Sequence, residues 1–369
     1  MDNHTIAELT EPERLTLYVY SVVLLVVGTV GNSLLLATVL FKKLQKPAVR
    51  SDTDKTMISS SQKLEVNTIQ CPATARTVQK VHPAHTGSTA DKLLLLLTFA
   101  DLVCLWVLVL RYSLTLSAYG DVRLENKFAC KFHTFLSMVC SNLSIALLCI
   151  FSVHRAISIR WPLASYTWLS KKKLNACLFG AFVFILLKHA PALFIFSLVD
   201  LDIGVKCDIR PDTGILGKAY YYLEFATHCV LGYPILIVSN ILLYVFLKRT
   251  LKRGIPSMSA TSNRSTDTVT QSATTTGISI ARVLLFFSWI QLITSVPFLI
   301  FIESSDQFGW DIIPDNRKLF VYFALLLAML TNNGINFFIM IGISTKFRGD
   351  VRSLFVHFRE LCAHACHKA

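Results

Sequence analysis

Seven separate stretches of this chain are long and apolar enough to cross a lipid bilayer. They run over 15–41, 93–116, 128–159, 174–199, 220–247, 278–302 and 319–343, and each satisfies the ~20 residues needed to span ~30 Å of hydrocarbon. One soluble core could not absorb so many, since the 369 residues are 53% hydrophobic and only 16% charged, with a mean hydropathy of +0.53. Water does not reach backbone groups inside lipid, so each stretch must satisfy its own hydrogen bonds as a helix. The expected fold class is an all-α membrane protein, a seven-transmembrane helix bundle over 15–343. A short amphipathic C-terminal helix and tail follow over 344–369. Residues 1–14 are hydrophilic, with no basic n-region and no cleavage site. They read as an N-terminal tail before a retained anchor rather than as a signal peptide.

Seven crossings put the termini on opposite sides, and charge decides which is which. With the C-terminus cytosolic, the segments on that side hold 25 of the 36 Lys and Arg against seven acids, a balance of +18, while the outer segments carry −4. The positive-inside rule therefore predicts an extracellular N-terminus in a multi-pass plasma-membrane protein. Asn3 then begins an outward-facing glycosylation sequon, Asn3-His4-Thr5, whereas the sequon at Asn142 falls inside a span and should stay unmodified. The overall charge of +13 is scattered between apolar runs rather than gathered in blocks, which disfavours nucleic acid as a partner. Ten cysteines with no C-x-x-C pair exclude a standard zinc module. Two cytosolic connections are long. Residues 42–91 read as a disordered insertion, and the loop 248–277 as a solvated linker whose twelve Ser/Thr between Gly254 and Gly277 are open to phosphorylation.

Ionisable groups at membrane depth are costly and point to function. Asp101 lies nine residues beyond Lys92, or ~13 Å at 1.5 Å per residue, near mid-bilayer. The same ruler puts Asn32, Ser144, Asn332 and Asn336 at one level, with the last two sharing a helix face at i,i+4 spacing. A carboxylate, a hydroxyl and amide oxygens from four helices could enclose sodium, a hard cation that prefers oxygen ligands, or could form a polar network that only packs helices. On the third span Cys130 stands at the outer end and Arg155 at the inner end. Cys207 lies in the next extracellular loop, where an oxidising compartment favours a Cys130–Cys207 bridge. Pro191, Pro234 and Pro297 mark expected kinks, each removing an i to i−4 hydrogen bond.

In this order the residues resemble a rhodopsin-like (class A) G-protein-coupled receptor of divergent, neuropeptide type. Gly31-Asn32 and Leu97-Thr98-Phe99-Ala100-Asp101-Leu102 are similar to the signatures of the first two helices. Cys130 and Arg155 have the spacing of the third, and Arg155 to Pro162-Leu163 that of the second intracellular loop. Pro234 and Pro297 match the fifth- and sixth-helix prolines. Asn336-Phe337-Phe338-Ile339-Met340 sits where the family has Asn-Pro-x-x-Tyr, and Lys346-Phe347-Arg348 opens a stretch resembling the membrane-surface helix. The resemblance implies that Asp101, Ser144, Asn332 and Asn336 form an allosteric sodium pocket, with no other cofactor. It further implies that Arg155, Pro162 and Leu163 couple to a heterotrimeric G protein as the sixth helix swings outward, with arrestin and receptor kinases as further partners. Cys362 and Cys366 suit palmitoylation, and a metal cluster with His364 and His367 is the rival reading.

The departures bear on activation. His154 replaces the acid before the arginine, and Ala156 the tyrosine after it. Ser295 replaces the sixth-helix tryptophan, Phe337 and Met340 the seventh-helix proline and tyrosine, and Leu242 the fifth-helix tyrosine. A missing carboxylate beside Arg155 predicts raised basal signalling. Ser137 stands where aminergic receptors carry Asp, and Leu330 where opsins carry the retinal lysine, so a monoamine and a Schiff-base chromophore are disfavoured. Arg111, His133, Ser137, Lys188, His189, Glu224 and His228 line the outer halves of the spans as candidate ligand contacts, a mixed charged rim that favours a peptide. The competing classes are a seven-helix transporter or channel, opposed by the lack of an inverted repeat, and a receptor-like protein with non-standard coupling. An enzyme is disfavoured, because no H-E-x-x-H or nucleophile–base motif occurs.

Overall fold

The computed structural model describes residues 9–45, 84–117, 119–161, 165, 167–201, 204–252, 264–306 and 315–368. The side chains at 45, 84–88, 201, 264–277, 303–306, 315–316 and 365–368 fall outside the description. Asn3, Pro162 and Leu163 lie outside the described residues, as does the 46–83 part of the expected insertion, and Cys366 is described only as backbone.

The first span is α1 (Glu11–Gln45). Thr10 and Glu13 form its capping box: the Thr10 backbone N–H donates to Glu13 Oε2 at 3.0 Å and the Thr10 hydroxyl at 2.8 Å. Acids in its first turn and Lys42 and Lys43 in its last complement the helix dipole. The second span comprises α2 (Ala84–Cys104), a π-helical turn (Leu105–Val109) and α3 (Leu110–Leu116). The third is α4 (Lys127–Arg160), started by Asn126, whose side chain accepts from the Ala129 N–H at 2.8 Å. In the fourth, α5 (Lys171–His189) stops at Ala190-Pro191, and the one-turn α6 (Ala192–Ile195) follows. The sequence predicts a helix reaching 199. Instead Phe196–Leu201 is strand β1, paired antiparallel with β2 (Gly204–Ile209), as suits the β-branched and alternating residues there.

The fifth span joins α7 (Ile215–Phe225) through a π-helical turn (Ala226–Gly232) to α8 (Tyr233–Lys252). This widened turn lies just before Pro234, where the ladder loses a donor. The sixth span belongs to α9 (Arg264–Asp306), which contains Pro297. It begins well inside the expected loop 248–277, because a nucleated helix gains one bond for each residue it adds. The seventh is α10 (Asp315–Thr331) and α11 (Asn336–Ile343), bent by 49° at the break between them. Finally α12 (Thr345–Lys368) starts where the Ser344 hydroxyl accepts from the Phe347 N–H at 3.2 Å.

Among the described residues six helices are long and apolar enough to cross a membrane, and the bent α10–α11 pair, taken as one span, is a seventh. The bundle encloses its polar side chains within a mostly apolar core and presents apolar ones outward. Asn32, Asp101, Asn240, Ser288 and Ser295 have no exposed surface, whereas Val19, Val23, Val26 and Val30 on α1 and Val238, Ile241 and Leu242 on α8 are exposed, the pattern lipid imposes. At one end Cys130 of α4 is bonded to Cys207 of β2, with Cα atoms 5.6 Å apart. Ala192, Ile195, Phe196 and Tyr220 bury that bridge. At the other end, Lys42 joins Asp91 at 3.1 Å and Asp350 at 3.8 Å, tying α1 to α2 and α12.

Candidate functional site

The polar core at mid-bundle centres on Asp101. The Ser144 hydroxyl donates to its Oδ1 at 2.6 Å, and Asn336 Nδ2 donates to its Oδ2. This brings together three of the five residues placed at one depth from the sequence. Asn332 is 4% exposed, and its Oδ1 accepts no hydrogen bond among the described residues. The expected shared helix face of Asn332 and Asn336 does not exist, because residues 332–335 form the break between α10 and α11. Phe337 occupies the place of a helix-breaking proline, yet the helix still breaks. Asn32 Nδ2 donates to the Asn333 carbonyl at 2.6 Å, satisfying a group freed by the break. Gly28 and Gly334 then let α1 close on it: a Cβ on Gly28 would lie 3.0 Å from the Gly334 Cα.

A cavity of about 280 Å³ lies directly against this core, and Ser144 lines it together with Asn142, Glu224, His228, Gln291 and Asn333. A wider cavity of about 780 Å³ sits under the hairpin, and Met138, Ser141, Phe298, Ile302, Met329 and Leu330 line both. The two cavities adjoin along these six residues, between the disulfide end and the level of Asp101.

The candidate ligand contacts divide between these cavities and their supports. Arg111 and Ser137 line the wider cavity, and Glu224 and His228 the deeper one. His133 lies behind them, its Nε2 3.1 Å from the Val107 carbonyl and its Nδ1 3.1 Å from the Ser137 hydroxyl. Lys188 is turned into a buried knot: its Nζ bonds Asn142 Oδ1 at 2.8 Å, Thr227 Oγ1 at 2.9 Å and Glu224 Oε2 at 2.6 Å. His189 beside it bonds the Tyr220 hydroxyl at 2.9 Å. The knot joins the third, fourth and fifth spans and neutralises Glu224 where it meets the cavity. Its central residue, Asn142, carries no role in the sequence reading beyond an unusable sequon, although the depth ruler applied to Asp101 singles it out equally.

Asp121 is a second centre that sequence reading missed. Arg111 donates to it through Nε at 3.1 Å and Nη2 at 2.9 Å, and Arg123 through Nη2 at 2.8 Å. Burial pushes this carboxyl up, but the two guanidiniums outweigh burial and hold it well below the ordinary carboxylate range.

At the far end Arg155 is 4% exposed, and its guanidinium lies 5.7 Å from the Phe151 ring. Its Nε and Nη2, and Nδ1 of His154, have no hydrogen-bond partner among the described residues. The carboxylate whose field reaches Arg155 is Asp91. One helical turn before Arg155, Ser152 Oγ lies 3.2 Å from Ser288 Oγ, linking the third span to the sixth. On α12, Cys362 is exposed. Among the described residues no cluster of His, Cys, Asp and Glu could hold a metal, and the side chains of Cys366 and His367 are outside that set.

The family model described as "7 transmembrane receptor (rhodopsin family)" matches residues 76–336. The chain belongs to this family. Within it, the chain is 22% identical over 178 residues to cysteinyl leukotriene receptor 1 of Cavia porcellus, an alignment covering 47% of this chain and 52% of that one. The chain thus spans about half the length of the curated relative it matches. The family is one of receptors rather than enzymes. Its seven-span bundle and multi-pass membrane setting agree with the sequence reading.

Proposed function

We propose that this rhodopsin-family protein is a plasma-membrane receptor that converts binding of an extracellular ligand into G-protein activation through outward movement of α9. The N-terminus faces outward and α12 lies on the cytosolic face. What carries the reading is the adjoining of the hairpin cavity to a deeper one that reaches Ser144 and, through its hydrogen bond, the Asp101 core. A ligand seated above Ser144 changes the hydrogen bonding of Asp101, which also holds Asn336 at the bend of the seventh span. Rearrangement there frees α9, and the Ser152–Ser288 contact is lost as Arg155 becomes accessible. Binding can shift such an equilibrium only through contacts that differ between its two states, and the Ser144–Asp101 bond is such a contact.

Sodium fits the same core as an allosteric ion. Asp101 and Ser144 would hold it, with Asn332 and Asn336 beside them. The buried oxygens Asn32 Oδ1 and Asn332 Oδ1, which accept no hydrogen bond among the described residues, are the donor type a hard cation requires. The ion would favour the closed bundle. A peptide is the ligand class the mixed charged rim favours. Arrestin and receptor kinases are the expected regulatory partners, Asn3 a glycosylation site, and Cys362 and Cys366 lipid anchors. G-protein dissociation in cells tests the reading: Arg155→Ala should abolish ligand-driven activation while leaving ligand binding at the surface intact. Normal activation in that variant would refute it.

A further inference from the structure

The cavity under the hairpin has a charge asymmetry that narrows the ligand chemistry. Among the described residues, Arg111, Arg123, Lys206 and Lys318 line it, and Asp208 is the acid. Lys206 and Asp208 pair at 2.6 Å. Asp121, behind the wall, is shared by Arg111 and Arg123, with side chains 7% and 12% exposed against 1% for Asp121 itself. Two guanidiniums on one carboxylate leave an uncompensated positive charge in a site largely removed from water, where screening is weak and an anion gains most. Glu224 farther down is already neutralised by Lys188 at 2.6 Å, so the two cavities offer a cationic ligand little in return. Below the basic mouth the shared wall is apolar or weakly polar: Met138, Phe298, Ile302, Met329 and Leu330, with Ser141.

Resting on the receptor reading, we propose that this cavity takes an amphipathic carboxylate, whose anionic group docks against Arg123 while its apolar body runs down the Met138–Leu330 wall toward Ser144. Arg123 is the specificity residue, because its loss leaves Arg111 and Asp121 as a balanced pair. Two sources present this chemistry, a fatty-acid-like lipid and the free C-terminus of an apolar peptide.

The test uses the full chain in nanodiscs and reads its thermal unfolding midpoint with matched probes: long-chain fatty acids against their primary amides, and N-acetylated apolar tripeptides with free against amidated C-termini. At least one acid set should raise the midpoint, its amide partner should not, and whichever set responds identifies the source. Arg123→Gln should weaken acid binding at least tenfold and Arg123→Lys should retain most of it, which separates site occupancy from partition into lipid. Equal shifts by acids and amides, no shift by either acid set, or acid binding unchanged in Arg123→Gln would overturn the proposal. G-protein dissociation is measured separately. Acid binding without it counts against the receptor reading alone, whereas activation by neutral or cationic compounds without acid binding counts against the carboxylate alone.

Discussion

Asp121 sits in a short turn between the second and third spans, yet it holds two guanidiniums at the cavity mouth. Removing its charge leaves both without a counter-ion in a buried place, a loss on the order of 3–5 kcal/mol. Asp121→Asn should therefore lower the unfolding midpoint in detergent far more than Asp208→Asn, whose parent pair is 41% and 44% exposed. The pH dependence has a definite sign. A carboxyl held below its unfolded value of ~3.9 contributes stability that is complete above that value and is lost only as pH falls through the lower folded one. The disulfide end should hold a constant contribution from this group between neutral pH and about 5, measured as the midpoint of wild type minus Asp121→Asn. At the other end, Arg155 and His154 are buried side by side, and Arg155 Nε and Nη2 and His154 Nδ1 have no partner among the described residues. His154→Asp should supply the absent carboxylate and lower ligand-free G-protein activation severalfold. Unchanged basal signalling at equal surface expression would remove this account. Asp101 and Ser144 were legible in the sequence because depth along one helix is a simple product of residue count and rise. The Arg111–Asp121–Arg123 group was not, since a turn's path fixes no such distance.

Among the elements, the seventh span departs most from its sequence pattern. Its apolar run predicts one continuous helix, but α10 and α11 meet at a 49° bend where Asn332-Asn333-Gly334 supplies no strong helix former. Contact with α1 holds the bend. Gly28→Ala would place a methyl 2.8 Å from Leu105 Cδ1 and 3.0 Å from the Gly334 Cα, and should cost about 1–3 kcal/mol as α1 is pushed away. Gly342→Ala, with open space around the added carbon, should be neutral or slightly stabilising in the same unfolding assay. The third and sixth spans give a functional counterpart. Ser288→Ala deletes the Ser152 contact, worth about 1 kcal/mol, and should raise basal activation up to roughly fivefold in a dose-matched assay. The hairpin took the end of an expected helix, and its second strand brings Cys207 to Cys130, a long-range pairing that local propensity does not contain.

At the scale of the whole molecule, the cavity proposed for the ligand and the core proposed for sodium share Ser144, so the two are predicted to act on each other. Sodium should lower agonist affinity in membranes, and Asp101→Asn should abolish that dependence while the chain still reaches the surface. A sodium effect that survives the substitution would place the ion elsewhere. The seven apolar runs and the lopsided distribution of Lys and Arg were enough to specify a bundle and its expected orientation, because lipid forces every crossing to be helical and self-satisfied. Polar side chains inside those runs also marked their own level. Only tertiary structure could decide which of them meet. Lys188 turned away from the cavity into a knot with Asn142 and Glu224, Asn332 left the helix face it was expected to share with Asn336, and Asp121 joined two arginines from either side of a turn. Helix rotation, breaks and loop paths are set by packing between segments distant in sequence, and no single segment carries that information.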